Sequence, residues 1–225
     1  MDLLEAQDTV QANVPVTCFN DYYEKVYRGY EQYYLPWLSE RLKNLAPGSA
    51  LDVGPGWGTI ITFLSGLGWN VTAMDDQPLG TYISQFLLDK IGARFVQHDI
   101  LLAPLEEKFD LVSCTQVLLH LKYRIDRAVR HLAAMLAPGG LAIISALSPD
   151  YYKNLKSSYG TEWERMPEYG SGAPPAPDVV TCMLTQASFA NLLGRYFGKV
   201  DISIPTGQNV HSVMFAECGN PINVL

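Results

Sequence analysis

The sequence predicts an α/β fold built on a mostly parallel sheet, and three observations carry that prediction. Short apolar runs alternate with segments of helical period until residue 147. The first run, Ala50-Leu51-Asp52-Val53, passes directly into Gly54-Pro55-Gly56-Trp57-Gly58 and then into a helical stripe. Near the C-terminus, two apolar runs flank Pro205-Thr206-Gly207-Gln208-Asn209 and read as a hairpin, which ends the sheet with an antiparallel strand.

At 225 residues and 48% hydrophobic, the chain can bury one sizeable core, so one α/β domain with small additions is expected. The 16 basic and 23 acidic residues leave a net charge of −7 with no Lys/Arg-rich block, which argues against nucleic acid as the main partner. Cys18, Cys114, Cys182 and Cys218 lack C-x-x-C spacing and read as free thiols of a reducing compartment. With neither a leader-like N-terminus nor an apolar run of spanning length, the expectation is a cytoplasmic protein with no membrane partner. Oligomeric state is not legible.

Taken in order, residues 1–45 read as an N-terminal arm and helical cap, and 46–225 as the main domain with a lid-like insertion at 148–180. Asp21 and Glu24 make a capping pair, after which Tyr23, Val26, Tyr27, Tyr30 and Tyr34 keep helical spacing. Pro36 is expected to end or kink that helix. A second stretch through Trp37, Leu38, Leu42 and Leu45 then runs to Ala46-Pro47-Gly48. The tyrosines crowded between 22 and 34 make either a packing face or a cover for a ligand, since tyrosine joins a flat apolar body to a hydroxyl.

The glycine turn sits between a strand and a helix marked by Ile60, Phe63, Leu64 and Leu67, with Gly68 as the stop. Glycines there let backbone approach a ligand, and the N–H groups opening a helix favour a polar or anionic group. Asn70 to Met74 reads as a second strand that ends in Asp75-Asp76, about 20 residues past the glycines, where a carboxylate can accept from both hydroxyls of a ribose. The bland reading of that Asp is a solvated turn carboxylate. Ile83, Phe86, Leu87 and Ile91 form the next helical stripe, closed by Gly92, and Ala93 to Gln97 a third strand that delivers His98-Asp99-Ile100. Phe109 to Cys114 is a fourth strand, and Ile125, Ala128, Val129, Leu132, Met135 and Leu136 give a strong helix that Pro138-Gly139-Gly140 ends. Leu141 to Ser145 is a fifth strand. Alternation of this kind is solved by parallel pairing with right-handed crossovers.

Between 148 and 180 the pattern breaks into prolines, glycines and aromatics, among them Tyr151, Tyr152 and Trp163, which suggests a lid or substrate wall. Ser188, Phe189, Leu192, Leu193 and Tyr196 fit a last helix, followed by strands over 199–204 and 210–217.

From about Leu45 to Cys218 the order of signals resembles the class I S-adenosylmethionine-dependent methyltransferases, in their small-molecule, quinone-pathway-like branch. The motifs are Leu51-Asp-Val-Gly-Pro-Gly-Trp-Gly58, Val71-Thr-Ala-Met-Asp75, Val96-Gln-His-Asp99, Phe109-Asp-Leu-Val with Val117-Leu-Leu-His120, and Leu136-Ala-Pro-Gly-Gly140. The resemblance implies a Rossmann-like three-layer sandwich with seven strands in the order 3-2-1-4-5-7-6, strand 7 antiparallel. It implies that Asp52 and the backbone of Gly54, Gly56 and Gly58 surround the methionine part of S-adenosylmethionine. Asp75, with Asp76 beside it, would hold the ribose; Asp99 would accept from the adenine amino group while Ile100 packs on the ring. Backbone around Cys114 and Thr115 would line the methionine amine. A nicotinamide-dinucleotide protein would share the glycines and the acidic residue but not Asp99 or the terminal hairpin.

The methyl of a sulfonium is already activated, so transfer needs an acceptor atom held close, aligned and partly desolvated. A base is needed only where the acceptor must lose a proton. His120 is the candidate for it, set against a packing or loop-orienting role. Related quinone-pathway enzymes carry Glu-x-x-Glu-His where this chain has Gln116-Val117-Leu118-Leu119-His120, so no metal is expected. Trp57 also occurs in Gly-x-Gly-Trp-Gly of fatty-acyl cyclopropane synthases, which keeps acyl modification as a minor option. The expected activity is methyl transfer to a small apolar or aromatic metabolite, oxygen slightly favoured over nitrogen or carbon, with S-adenosylhomocysteine released. Tyr22, Tyr27, Gln116, Tyr151, Tyr152 and Trp163 are candidate acceptor contacts. The alternatives are a peptide or protein acceptor, or a protein of this fold without transfer activity.

Overall fold

The computed structural model describes residues 9–10, 28–121, 124–148, 169, 184–204 and 213–222. Its strands form one seven-stranded sheet in the order β3-β2-β1-β4-β5-β7-β6, flanked by helices, the order that the resemblance implies. The chain divides into two compact units, 1–99 and 100–225.

In the first unit, helix α1 spans Arg28–Leu42 and runs through Pro36, which neither ends it nor splits it into two elements. A proline inside a helix costs about 3 kcal/mol through the lost N–H and the clash with the preceding turn. Tyr34, Leu35, Leu38 and Leu42 are buried around it, and each buried apolar side chain contributes about 1.5–3 kcal/mol, so packing outweighs the defect. Leu45, expected within the helical stretch, lies past the helix and is exposed.

Strand β1 (Ser49–Val53) pairs parallel with β2 (Asn70–Asp75), and β2 with β3 (Arg94–Gln97). Four consecutive residues of β1 and of β2 are buried, the uniform pattern of parallel strands covered on both faces. Between β1 and β2, α2 (Thr59–Gly66) is closed by Gly68 in the left-handed conformation. Helix α3 (Gln85–Ile91) starts on Ser84, whose hydroxyl accepts the Leu87 N–H at 3.1 Å, and stops at left-handed Gly92. The stripe expected on α3 is corrected at one position: Leu87 and Leu88 are buried while Phe86 is 67% exposed, and Leu87 Cδ2 lies against Gly58 at the start of α2.

In the second unit, β4 (Phe109–Cys114) pairs parallel with β5 (Leu136–Leu147); β7 (Val213–Pro221) is antiparallel to β5 and to β6 (Phe197–Ser203). The expected terminal hairpin strands are therefore present, while their connection at 205–212 falls outside the described residues. Helix α4 (Ile125–Met135) lacks a side-chain cap, worth about 1 kcal/mol. Ile125, Ala128, Val129, Leu132 and Met135 are all buried, which more than offsets it. Helix α5 (Gln186–Leu193) has a full capping box between Thr185 and Ser188.

Pro138-Gly139-Gly140 does not terminate α4. The helix stops at Met135, β5 begins at Leu136, and the three residues make a bulge inside the strand: Phe109 pairs with Leu136 but Leu111 already pairs with Leu141. A Cβ on Gly140 would stand 2.9 Å from the Asp110 carbonyl oxygen, so glycine there is set by the approach of two backbones. Among the described residues, no helix is long and apolar enough to cross a membrane.

Candidate functional site

Parallel pairing of β1, β2 and β3 sends their C-terminal ends to one edge of the first unit. Asp52 lies on β1 with 1% exposure. The chain then turns through Gly54, Gly56 and Gly58 at φ 67°, 53° and 92°, a region that costs any residue with a Cβ about 1–2 kcal/mol. The Gly54 N–H donates to the Met74 carbonyl at 2.8 Å and ties the turn to β2. At Gly58 a Cβ would also meet Leu87 Cδ2 at 2.9 Å; at Gly56 it would meet no atom of the described residues within 4 Å, so among them the space over the middle of the turn is open. Thr59, the first residue of α2, is buried, and its hydroxyl has no hydrogen-bond partner among the described residues. Trp57 packs edge-on against Tyr82, ring centroids 6.3 Å apart.

At the end of β2 the two adjacent carboxylates have different surroundings. Asp75 is half-buried, Asp76 exposed. One oxygen of Asp75 accepts the Gln77 N–H at 2.9 Å, and its carbonyl accepts the His98 N–H at 2.8 Å. Burial raises the Asp75 pKa above the usual carboxylate value; the Gln77 N–H works against that and the neighbouring Asp76 adds to it. Asp76 instead receives the Gln77 side-chain amide at 3.0 Å, while its carbonyl takes the Gln97 amide at 3.2 Å. Asp99 follows β3, partly buried.

Within the second unit, Ile100 and Leu101 are buried and held from α4. His131, itself buried, places Nδ1 2.6 Å from the Ile100 carbonyl, and Arg127 reaches the Leu101 carbonyl at 3.4 Å. Since a carbonyl only accepts, His131 Nδ1 carries the proton in that contact. Cys114 and Thr115 are buried at the end of β4. The next residue, Gln116, adopts φ 59°, and its N–H donates to the Ser145 hydroxyl at 2.9 Å. A 3-10 turn, Leu118–His120, follows, closed by the His120 N–H on the Val117 carbonyl at 2.9 Å. His120 ends this turn and is exposed, and partial desolvation of its ring lowers its pKa, which favours the neutral imidazole.

The first unit thus gathers Asp52, Gly54, Gly56, Gly58, Asp75, Asp76 and Asp99, and the second carries Ile100, Cys114, Thr115, Gln116 and His120. Tyr22, Tyr27, Tyr151, Tyr152 and Trp163 lie outside the described residues. Residues not foreseen from sequence are Tyr82, His131 and Ser145. For Ser145 the available signal is a hydroxyl inside the apolar run Leu141 to Leu147; for the others spacing offers none. Among the described residues no group of three His, Cys, Asp or Glu side chains could hold a metal ion.

A family profile described as a methyltransferase domain matches residues 27–196. Hemagglutinin 1 of Eikenella corrodens is 28% identical over 137 residues, covering 59% of this chain and 46% of that protein. The ubiquinone biosynthesis O-methyltransferase of Rickettsia felis is 26% identical over 122 residues, 52% of this chain and 48% of that enzyme. The matched stretch therefore spans about half the length of these relatives. Among solved structures, magnesium protoporphyrin IX methyltransferase from Synechocystis with bound S-adenosylhomocysteine (SAH) superposes with a TM-score of 0.66 at 17% identity, covering 96% of this chain and 94% of that one. N-methyltransferase NodS from Bradyrhizobium japonicum with SAH gives 0.62 at 16% identity, covering 98% of both. At such identities the likeness carries the fold.

Proposed function

Because this chain belongs to the methyltransferase domain family, we propose that it transfers a methyl group from S-adenosylmethionine (SAM) to a small apolar or aromatic acceptor. An oxygen nucleophile is favoured, in keeping with relatives that are O-methyltransferases of ubiquinone biosynthesis. The observation that carries the reading is the glycine turn beside Asp75: three left-handed glycines, open space over Gly56, and a half-buried carboxylate at the end of the next strand.

The residues fit the cofactor. Asp75 would accept from the ribose hydroxyls, because its partial burial strengthens a hydrogen bond that exposed Asp76 would share with water. Asp52 and the N–H groups of the turn would surround the methionine part, Asp99 and Ile100 the adenine, and backbone at Cys114 and Thr115 the amine. Bound SAM supplies a methyl group already activated on sulfur. The protein's part is then to hold the acceptor, exclude water and, for a phenol, take a proton; His120, kept neutral, is suited to that. Residues 1–45 as a cap, 148–180 as a lid and a cytoplasmic location belong to the same reading.

Calorimetric titration with SAM and SAH tests the cofactor claim, and labelled SAM offered with phenols, catechols, amines and peptides tests transfer. Heat from both cofactors plus label in a phenolic product is expected. Silence in the titration sinks the reading, and tight binding with no labelled product from any acceptor class favours a binding protein without transfer activity.

A further inference from the structure

Gln116 is one of two described non-glycine residues with a left-handed backbone, and it sits where β4 gives way to the turn carrying His120. A residue with a Cβ holds that conformation only where its surroundings enforce it, and such strain gathers at working sites. The enforcing contact is visible. Backbone pairing of β4 with β5 stops at Cys114 and Ile144; one residue further along β5, Ser145 is fully buried and its hydroxyl takes the Gln116 N–H at 2.9 Å. A side chain thus continues the ladder past the point where backbone can. Neither the family match nor the sequence motifs assign Ser145 a role.

We propose that Ser145 is a positioning residue: its hydroxyl latches Gln116 in the left-handed conformation and so fixes the turn that presents Gln116 and His120 to the methyl acceptor. Acceptor presentation rests on the proposed function; the latch itself does not. An alanine at 145 leaves the Gln116 N–H without its acceptor and removes what opposes the backbone's return to φ below zero. Asparagine at 116 keeps the side-chain amide and tolerates the left-handed region better than glutamine. Losing the latch and relieving the strain should therefore compensate each other.

The test uses the full chain with Ser145→Ala, Gln116→Asn and the double variant. In Ser145→Ala, exchange of the residue 116 amide should quicken about five- to tenfold, the worth of one hydrogen bond. The His120 imidazole, followed by NMR titration, should move up toward its ordinary value of 6.5 as the turn opens. Gln116→Asn in the double variant should restore the native His120 titration, while the residue 116 amide, still without its acceptor, keeps its quickened exchange. A plain packing role for Ser145 predicts no rescue, and that result overturns the proposal, as do native exchange and native His120 titration in Ser145→Ala. Should Ser145→Ala not fold, Gln116→Asn in the native chain decides: relieved strain raises Tm, and a lowered Tm refutes the latch. SAH affinity, measured alongside by calorimetry, should stay within about twofold of native, since the cofactor groups are untouched. Absence of SAH binding in the native protein would refute the cofactor reading and leave the exchange and titration results to decide the latch.

Discussion

At the scale of single residues, Asp75 is held in a condition that costs the protein stability. Its pKa is raised chiefly by burial, so the folded state binds its proton more tightly than the unfolded chain does. That contribution is fully present below the unfolded value of 3.8 and is lost as pH rises through the folded pKa. Asp75→Asn is therefore expected to melt higher than the native protein at neutral pH, with the difference closing toward pH 4. The same variant should bind SAH about tenfold or more weakly, because hydrogen bonds to a charged partner are worth about 1.5–3 kcal/mol. Thermal melts across pH with one calorimetric titration check both halves, and a loss of Tm at neutral pH would contradict the first. His120 runs the other way. Its lowered pKa means its contribution to stability is present above 6.5 and lost as pH falls through the folded value. If it takes the acceptor proton, kcat should decline over that acid range, and His120→Ala should cut kcat by about a hundredfold or more without changing SAH affinity. An unchanged kcat would leave it an orienting role.

Elements carry their own tests, and the bulge in β5 is the sharpest. Gly140→Ala forces a Cβ to 2.9 Å from the Asp110 carbonyl and 3.0 Å from that of Ala137. Backbone oxygens cannot swing aside, so a loss of about 1–3 kcal/mol is expected in denaturant unfolding. Gly139→Ala, one residue away, meets no atom of the described residues but carries φ 78° and should cost about 1–2 kcal/mol from the left-handed penalty alone. An equal tolerance of alanine at both positions would argue against the bulge geometry. Pro36 marks the opposite situation: a defect that the element absorbs because its neighbours Leu35 and Leu38 are buried.

For the molecule as a whole, a ligand that binds only the folded state stabilises it by mass action. SAH at a hundred times its Kd should add about 2.7 kcal/mol and raise Tm. Hydrogen exchange locates the effect. Protection is expected at Gly56 to Thr59 and Gln77 in the first unit, and at Cys114 and Thr115 in the second. Protection confined to one unit would remove the other unit's residues from the cofactor contacts.

The strands and their alternation with helices were determined by the sequence alone, because hydrophobic period and punctuating glycines are local signals. Ala50 to Val53, Asn70 to Asp75 and Phe109 to Cys114 need no partner to be recognised as strands. The candidate cofactor residues were legible for the same reason: glycines and acids at the ends of successive strands are written in linear order. Tertiary structure decided the rest. Whether Pro36 breaks a helix depends on what its neighbours bury, and whether Pro138-Gly139-Gly140 ends a helix or bulges a strand depends on how closely Asp110 approaches. Which of Asp75 and Asp76 is shielded from water depends on burial that adjacent identical residues cannot reveal. The Ser145 hydroxyl meets the Gln116 N–H across 29 positions of chain, a contact that only the pairing of β4 with β5 brings about.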